Sequence, residues 1–224
     1  INGTLINCVG TTYTYASTSS SIGGTIAGIV INCESETNSY ASGESGGVIS
    51  STAIIDSCRA GNSSFAFGDL LGGTINGLIK NSISGSSSYA GSTEEGGTIT
   101  GTISNSTATS GDNFASGGVT GGTISGTLNN ISITGTAGIN ATFSGVLLNS
   151  RIEQSTGSQG APITVASTAR IRRCDLKGST NAITAAGASN ACISHCNLFG
   201  GGLHANITNL VETCYNTDDS TDVF

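Results

Sequence analysis

The chain has 224 residues, with 34 glycines, one proline and neither methionine nor tryptophan, a length that fits one domain or one elongated stack of repeats. Only 9% of its residues are charged and the formal net charge is −7, which excludes a broad nucleic-acid surface, because that needs lysine and arginine clustered over a face. The 36% apolar content, recurring as short runs of Ile, Leu and Val, excludes a flexible linker, and no run approaches the ~20 apolar residues that cross a bilayer.

The first predicted element ends on the tetrad LINC, residues 5 to 8, and this tetrad returns along the whole chain. It reads VINC at 30 to 33, IDSC at 55 to 58, IKNS at 79 to 82, ISNS at 103 to 106 and LNNI at 128 to 131. LLNS at 147 to 150, IRRC at 171 to 174, ISHC at 193 to 196 and VETC at 211 to 214 complete the series. The first position is aliphatic in all ten, the third is Asn in six and the fourth is Cys or Ser in nine. A strand therefore ends on an inward aliphatic, a two-residue bend follows whose second residue takes the left-handed backbone that Asn tolerates, and the next strand starts on a small inward residue.

The second predicted element carries an aromatic: Thr14-Tyr15-Ala16, Ser39-Tyr40-Ala41, Ser64-Phe65-Ala66, Ser88-Tyr89-Ala90 and Asn113-Phe114-Ala115, at spacings of 25, 25, 24 and 25 residues. It reads as a further short strand. The third element opens on paired glycines, at 23, 46, 72, 96 and 121, with spacings of 23, 26, 24 and 25. Fixed periods of this size, with no 3.6-residue pattern, predict a solenoid.

After residue 150 the turns shorten, lose the Gly-Gly pair and gain charge, so a single domain is expected over 1–224, with regular Gly/Ser/Thr-rich turns over 1–150 and a changed surface over 151–224. The lack of any methionine leads us to expect a piece of a longer protein.

The bend pattern, as in ARIRRCDLKG and ACISHCNLFGG, resembles the repeat of the right-handed parallel β-helix (pectin-lyase-like) superfamily and of bacteriophage tailspikes. The expected fold class is therefore all-β, a single-stranded right-handed parallel β-helix of about ten rungs of ~24 residues with three short strands each.

Candidate site residues follow from this frame. The column Cys8, Cys33, Cys58, Cys174, Cys196 and Cys214 is read as a stack of small buried residues, with disulfides between neighbouring rungs as the alternative. Cys192, His195, Cys196 and His204 match no compact zinc spacing, so neither a metal nor a cofactor is expected. The rings Tyr15, Tyr40 and Tyr89 are candidates for stacking against sugars if their column faces out, and a core stack if it faces in. Arg151 and Arg173, with Arg170, Arg172 and Lys177 nearby, are candidates for holding an anion or acidic sugar, or a solvated strand edge. Asp69, Glu94 and Glu95, in loops of one rung position, are the candidate catalytic acids, because glycan-cleaving β-helices need carboxylates held close together. Glu34 and Glu36 are read as acids just after one bend, and Glu44 and Asp112 as further loop acids. NTDDSTD at 216 to 222 resembles the first catalytic segment of polygalacturonase-type hydrolases, but the segments that follow it in that family have no counterpart before Phe224.

The resemblance thus implies first a receptor-binding or adhesive β-helix, of a phage tail fibre, tailspike or bacterial surface adhesin. Its partner would be a cell-surface glycan, its assembly a homotrimer and its place outside the cell or on the virion, with neither nucleic-acid binding nor membrane insertion. The competing expectations are a polysaccharide lyase or glycoside hydrolase on the same scaffold, and a structural or ice-binding solenoid built on the column Thr25, Thr74, Thr98 and Thr123, which Val48 interrupts.

Overall fold

The computed structural model describes residues 1–111, 114–135, 139–154, 163–166, 168–177, 183–185, 191–199, 211–212 and 214–216. Among them every strand pairing is parallel and no helix occurs. The chain winds as a parallel β-solenoid of about seven turns, ~24 residues apart.

Successive turns add strands to three long sheets, and Gly43–Ser45 and Gly68–Leu71 pair in a fourth, two-stranded one. The first sheet has ten strands, from Thr4–Ile6 through Ile29–Ile31 and Leu78–Lys80 to Val211–Glu212. The second has eight, from Thr25–Ile26 to Thr184–Ala185, and the third nine, from Glu34–Thr37 to Tyr215–Asn216. Because the pairing is parallel and in register, each residue meets the residue of its own column one turn away. Ile79 lies between Ile55 and Ile103, and Leu147 between Leu128 and Ile171, all fully or almost fully buried. The aliphatic first position of the tetrad is this inward column, as expected.

The bend is also as expected. Asn7, Asn32, Asn81, Asn105, Asn130 and Asn149 have φ between 48° and 53°, and Ser57, Arg173 and His195 take the same conformation where the column lacks Asn. Asn tolerates this region better than most residues. Its amide adds a second role on the outer edge: Asn81 Nδ2 donates to Asp56 Oδ1 at 2.9 Å, Asn105 to Asn81 Oδ1 at 3.1 Å and Asn130 to Asn105 Oδ1 at 2.9 Å. Burial works against the Asp56 charge, but hydrogen bonds from Asn81, Lys80 and Ser57 outweigh it and hold this carboxyl below its ordinary value.

The structure shows why Cys or Ser follows the bend. Ser82 and Ser106 are fully buried, and their Oγ atoms accept the backbone N–H of Cys58 and Ser82 from the preceding turn, at 3.3 and 3.2 Å. Each hydroxyl also donates to the carbonyl two residues back, Lys80 O at 2.9 Å and Ser104 O at 2.8 Å. A small side chain that can both donate and accept thus satisfies backbone groups where the strand is interrupted.

One expectation is overturned. The aromatic column is not a strand but a corner: Tyr40 and Ala41 have φ of 57° and 64°, Phe65 and Ala66 of 55° and 61°, and Tyr89 and Ala90 of 55° and 60°. Two consecutive left-handed residues reverse the chain sharply between the third and second sheets and turn the ring into the interior. Such backbone is unfavourable for residues with a Cβ, so it persists only where the surroundings over-determine it. Here the rings do so, stacking from Tyr15 to Phe114 with centroids 4.6 to 4.9 Å apart.

The rings also account for the change of composition along the chain. Where a turn carries a buried ring, the third sheet points a small residue inward: Ser35, Ala60, Ser84 and Ala108. Past Phe114 the same column becomes Ile133, Ile152, Leu176 and Leu198, all fully buried. The solenoid keeps its interior filled by exchanging one ring plus one small residue for one large aliphatic, as close packing requires.

Candidate functional site

Tyr40 and Tyr89 are fully buried, so these two sugar-stacking candidates are withdrawn in favour of the core reading. Their hydroxyls donate inward, Tyr40 to Cys33 O at 2.7 Å and Tyr89 to Ser82 O at 3.3 Å, and burial pushes both phenols far up in pKa. Tyr15, at the N-terminal end of the stack, is half-buried and donates to Cys8 O at 2.8 Å; burial lifts its phenol to about 12.

Asp69, Glu94 and Glu95 are exposed on neighbouring turns, Asp69 within the strand Gly68–Leu71 and not in a loop as expected. Gly68 pairs with Ser92 and Leu71 with Glu95, so the register sets Thr93 beside Asp69 and the leucines beside the two glutamates. Thr93 Oγ1 donates to the backbone carbonyl of Asp69, and Glu95 N to that of Leu70 at 3.0 Å. In-register stacking thus puts a threonine, not an acid, against Asp69. Asp112 and His204 lie outside the described residues, as do 217 to 222 of the acidic C-terminal segment.

Arg151 is exposed on the third sheet and is ion-paired: its Nη2 lies 3.1 Å from Glu153 Oε2, and Lys177 Nζ lies 2.8 Å from Glu153 Oε1. Lys177, then Arg151, hold the Glu153 carboxyl below its ordinary value. Arg173 stands exposed at a bend. Beside it are Arg170 and Arg172, which the sequence offers only as neighbours of the two candidate arginines. They border a groove of about 530 Å³ on the first sheet, together with Val146, Leu148, Ser194 and His195. The alternation of arginine with buried Ile171 in ARIRR was the available signal that both face outward.

A second groove, of about 540 Å³, runs over the third sheet at the other end of the solenoid. Glu34 and Glu36 alternate with buried Ser35 and so share its outer face, beside Arg59 and above Gly61 and Gly85. The second sheet carries a longer polar row than expected: Thr25, Val48, Thr74, Thr98, Thr123, Thr142 and Thr164 are in register. Thr98 and Thr123 approach to 3.4 Å through their hydroxyls.

All seven cysteines are free thiols, and Cys33, Cys58, Cys174, Cys196 and Cys214 are buried. Cys196 points into the core while His195 is exposed, so the two do not face a common ligand. Among the described residues, no three His, Cys, Asp or Glu side chains converge on a metal-sized site. Burial pushes the Cys58 thiol up to about 11. Native protein treated with a thiol-specific reagent near neutral pH is therefore expected to be labelled first at half-buried Cys8 and Cys192, with Cys33 and Cys58 reacting only after denaturation. Mass spectrometry of the labelled peptides checks this; rapid labelling of Cys58 in folded protein would contradict its place in the core.

No helix among the described residues is long and apolar enough to cross a membrane. Comparison with protein-family models, with curated proteins and with solved structures finds no match for this chain.

Proposed function

We propose that the chain is a receptor-binding or adhesive right-handed β-helix of ten rungs, of the kind found in phage tail fibres and tailspikes or in bacterial surface adhesins, and that it holds a cell-surface glycan. The observation that supports this is the repetition of hydrogen-bonding groups on rigid outer rows. The bend presents the amides of Asn81, Asn105 and Asn130, and the second sheet presents a threonine hydroxyl on each turn from Thr74 to Thr164. A sugar chain offers hydroxyls at repeated intervals, and side chains already fixed by a sheet lose little freedom on meeting it. A homotrimer displayed outside the cell or on the virion belongs to this proposal.

A second reading, a polysaccharide lyase or glycoside hydrolase, draws on Glu34 and Glu36, two carboxylates on one face of a groove beside Arg59. Incubation with purified surface polysaccharide separates the two. Retention without shortening of the polymer is expected, and sedimentation should give the mass of three chains. Shortening that disappears in the Glu34→Gln/Glu36→Gln variant would replace adhesion by catalysis.

A further inference from the structure

The bend changes chemistry late in the solenoid. Its amide ladder runs through Asn130, Asn149 donates to Asn129 instead, and the next two bend positions are Arg173 and His195. On the adjoining first sheet, Arg170 and Arg172 flank buried Ile171, so both point outward on one strand, about 6.6 Å apart along it. Val146 and Leu148 lie beside them on one side, and Cys192 and Ser194 on the other.

These arginines differ from Lys80, Arg151 and Lys177. Lys80 is paired with Asp56 at 3.0 Å, and Arg151 and Lys177 with Glu153. Arg170, Arg172 and Arg173 have no carboxylate within ion-pair distance among the described side chains, although the chain carries 14 acidic residues against seven basic ones. Three guanidinium groups without a carboxylate partner among the described side chains, on a protein of net charge −7, make a local positive field that draws an anionic polymer to this face. The guanidinium fork matches a carboxylate or sulfate with two parallel hydrogen bonds and stays charged at any working pH. Half-buried Val146 and Leu148 add an apolar flank against which the C–H face of a sugar ring can lie.

We propose that this groove binds a linear anionic polysaccharide, with acidic groups on Arg170 and Arg172 and Arg173 extending the contact at the bend. The inference rests on the glycan-binding reading and names the charge class and the site.

The test uses the full chain on immobilised alginate and dextran sulfate, with neutral dextran and poly-glutamate as comparisons. Retention on both anionic glycans is expected, weakening as ionic strength rises from 0.01 to 0.1 M and the screening length falls from ~30 to ~10 Å. Arg170→Gln/Arg172→Gln should weaken it by roughly tenfold for each guanidinium removed. Lys80→Gln, which removes a positive charge from a paired position, should leave it within about twofold. Arg170→Lys/Arg172→Lys keeps the charge without the fork and should fall between. Both arginines are exposed, so an unchanged melting curve is expected and separates loss of contact from loss of fold. Retention of dextran alone would overturn the anionic assignment and leave the glycan reading standing; retention of no glycan would overturn both. Insensitivity to the double substitution would remove the site, and equal retention on poly-glutamate would make the partner an acidic protein.

Discussion

Phe65→Ala is expected to destabilise the solenoid by about 4 kcal/mol, from lost transfer of a buried ring plus the cavity it leaves. The ring lies between Tyr40 and Tyr89 at 4.7 and 4.9 Å, so truncation breaks the stack on both sides. Its neighbours cannot collapse into the space, because each is tied to its own left-handed corner one turn away. Phe65→Tyr makes the matching control. Tyr40 and Tyr89 donate to the carbonyl seven residues back, which at Phe65 is Cys58 O, already accepting Ile83 N at 3.0 Å. The added hydroxyl can find the same acceptor, so this variant should fall within about 1 kcal/mol of the parent. Urea unfolding followed by circular dichroism checks both. A Phe65→Ala protein as stable as the parent would mean that the stack carries little of the core energy.

The second large effect is expected at the paired glycines. Gly97→Ala should cost roughly 3 kcal/mol or more, or prevent folding, because a Cβ there would run into the carbonyl oxygen of Gly73 in the turn below. The conflict is with backbone, which is held on both sides: Gly97 N donates to Ala90 O at 2.9 Å, and Thr98 N donates to Gly73 O at 2.9 Å. No side-chain rotation relieves it, so neighbouring turns would have to separate. Gly3→Ala, where an added Cβ meets nothing within 4 Å, should be almost neutral. Soluble expression and thermal melting of the two variants give the comparison, and equal stability would refute the close-approach argument.

Much of this architecture was legible in the sequence because a solenoid writes each column of its core once per turn. The aliphatic, left-handed and small positions of the tetrad fell where they were placed, since each answers to a local requirement: burial, a bend, and a backbone N–H in need of an acceptor. The aromatic column was assigned the wrong backbone for an equally local reason. Tyr and Phe favour strands, and Ser-Tyr-Ala contains no Gly or Asn to signal left-handed residues; stacking of the rings overrides that preference. The candidate surface was less legible. Asp69, Glu94 and Glu95 lie on the same side of neighbouring turns, but a shift of one position in register decides whether acids meet acids or leucines. Arg151 and Arg170 look alike in the sequence, yet one has Glu153 beside it on the third sheet while the other stands among Val146 and Cys192 on the first.

The sequence by itself determined the period, the parallel solenoid and the identity of its inward columns, because repetition of short-range constraints suffices to specify them. Only the tertiary structure decided which way the rings face, how their volume is replaced by Ile133, Ile152, Leu176 and Leu198 in later turns, and which cations are held in ion pairs. Those outcomes depend on what lies one turn away in space, about 24 residues along the chain, where packing and charge pairing are settled between columns and not within any one of them.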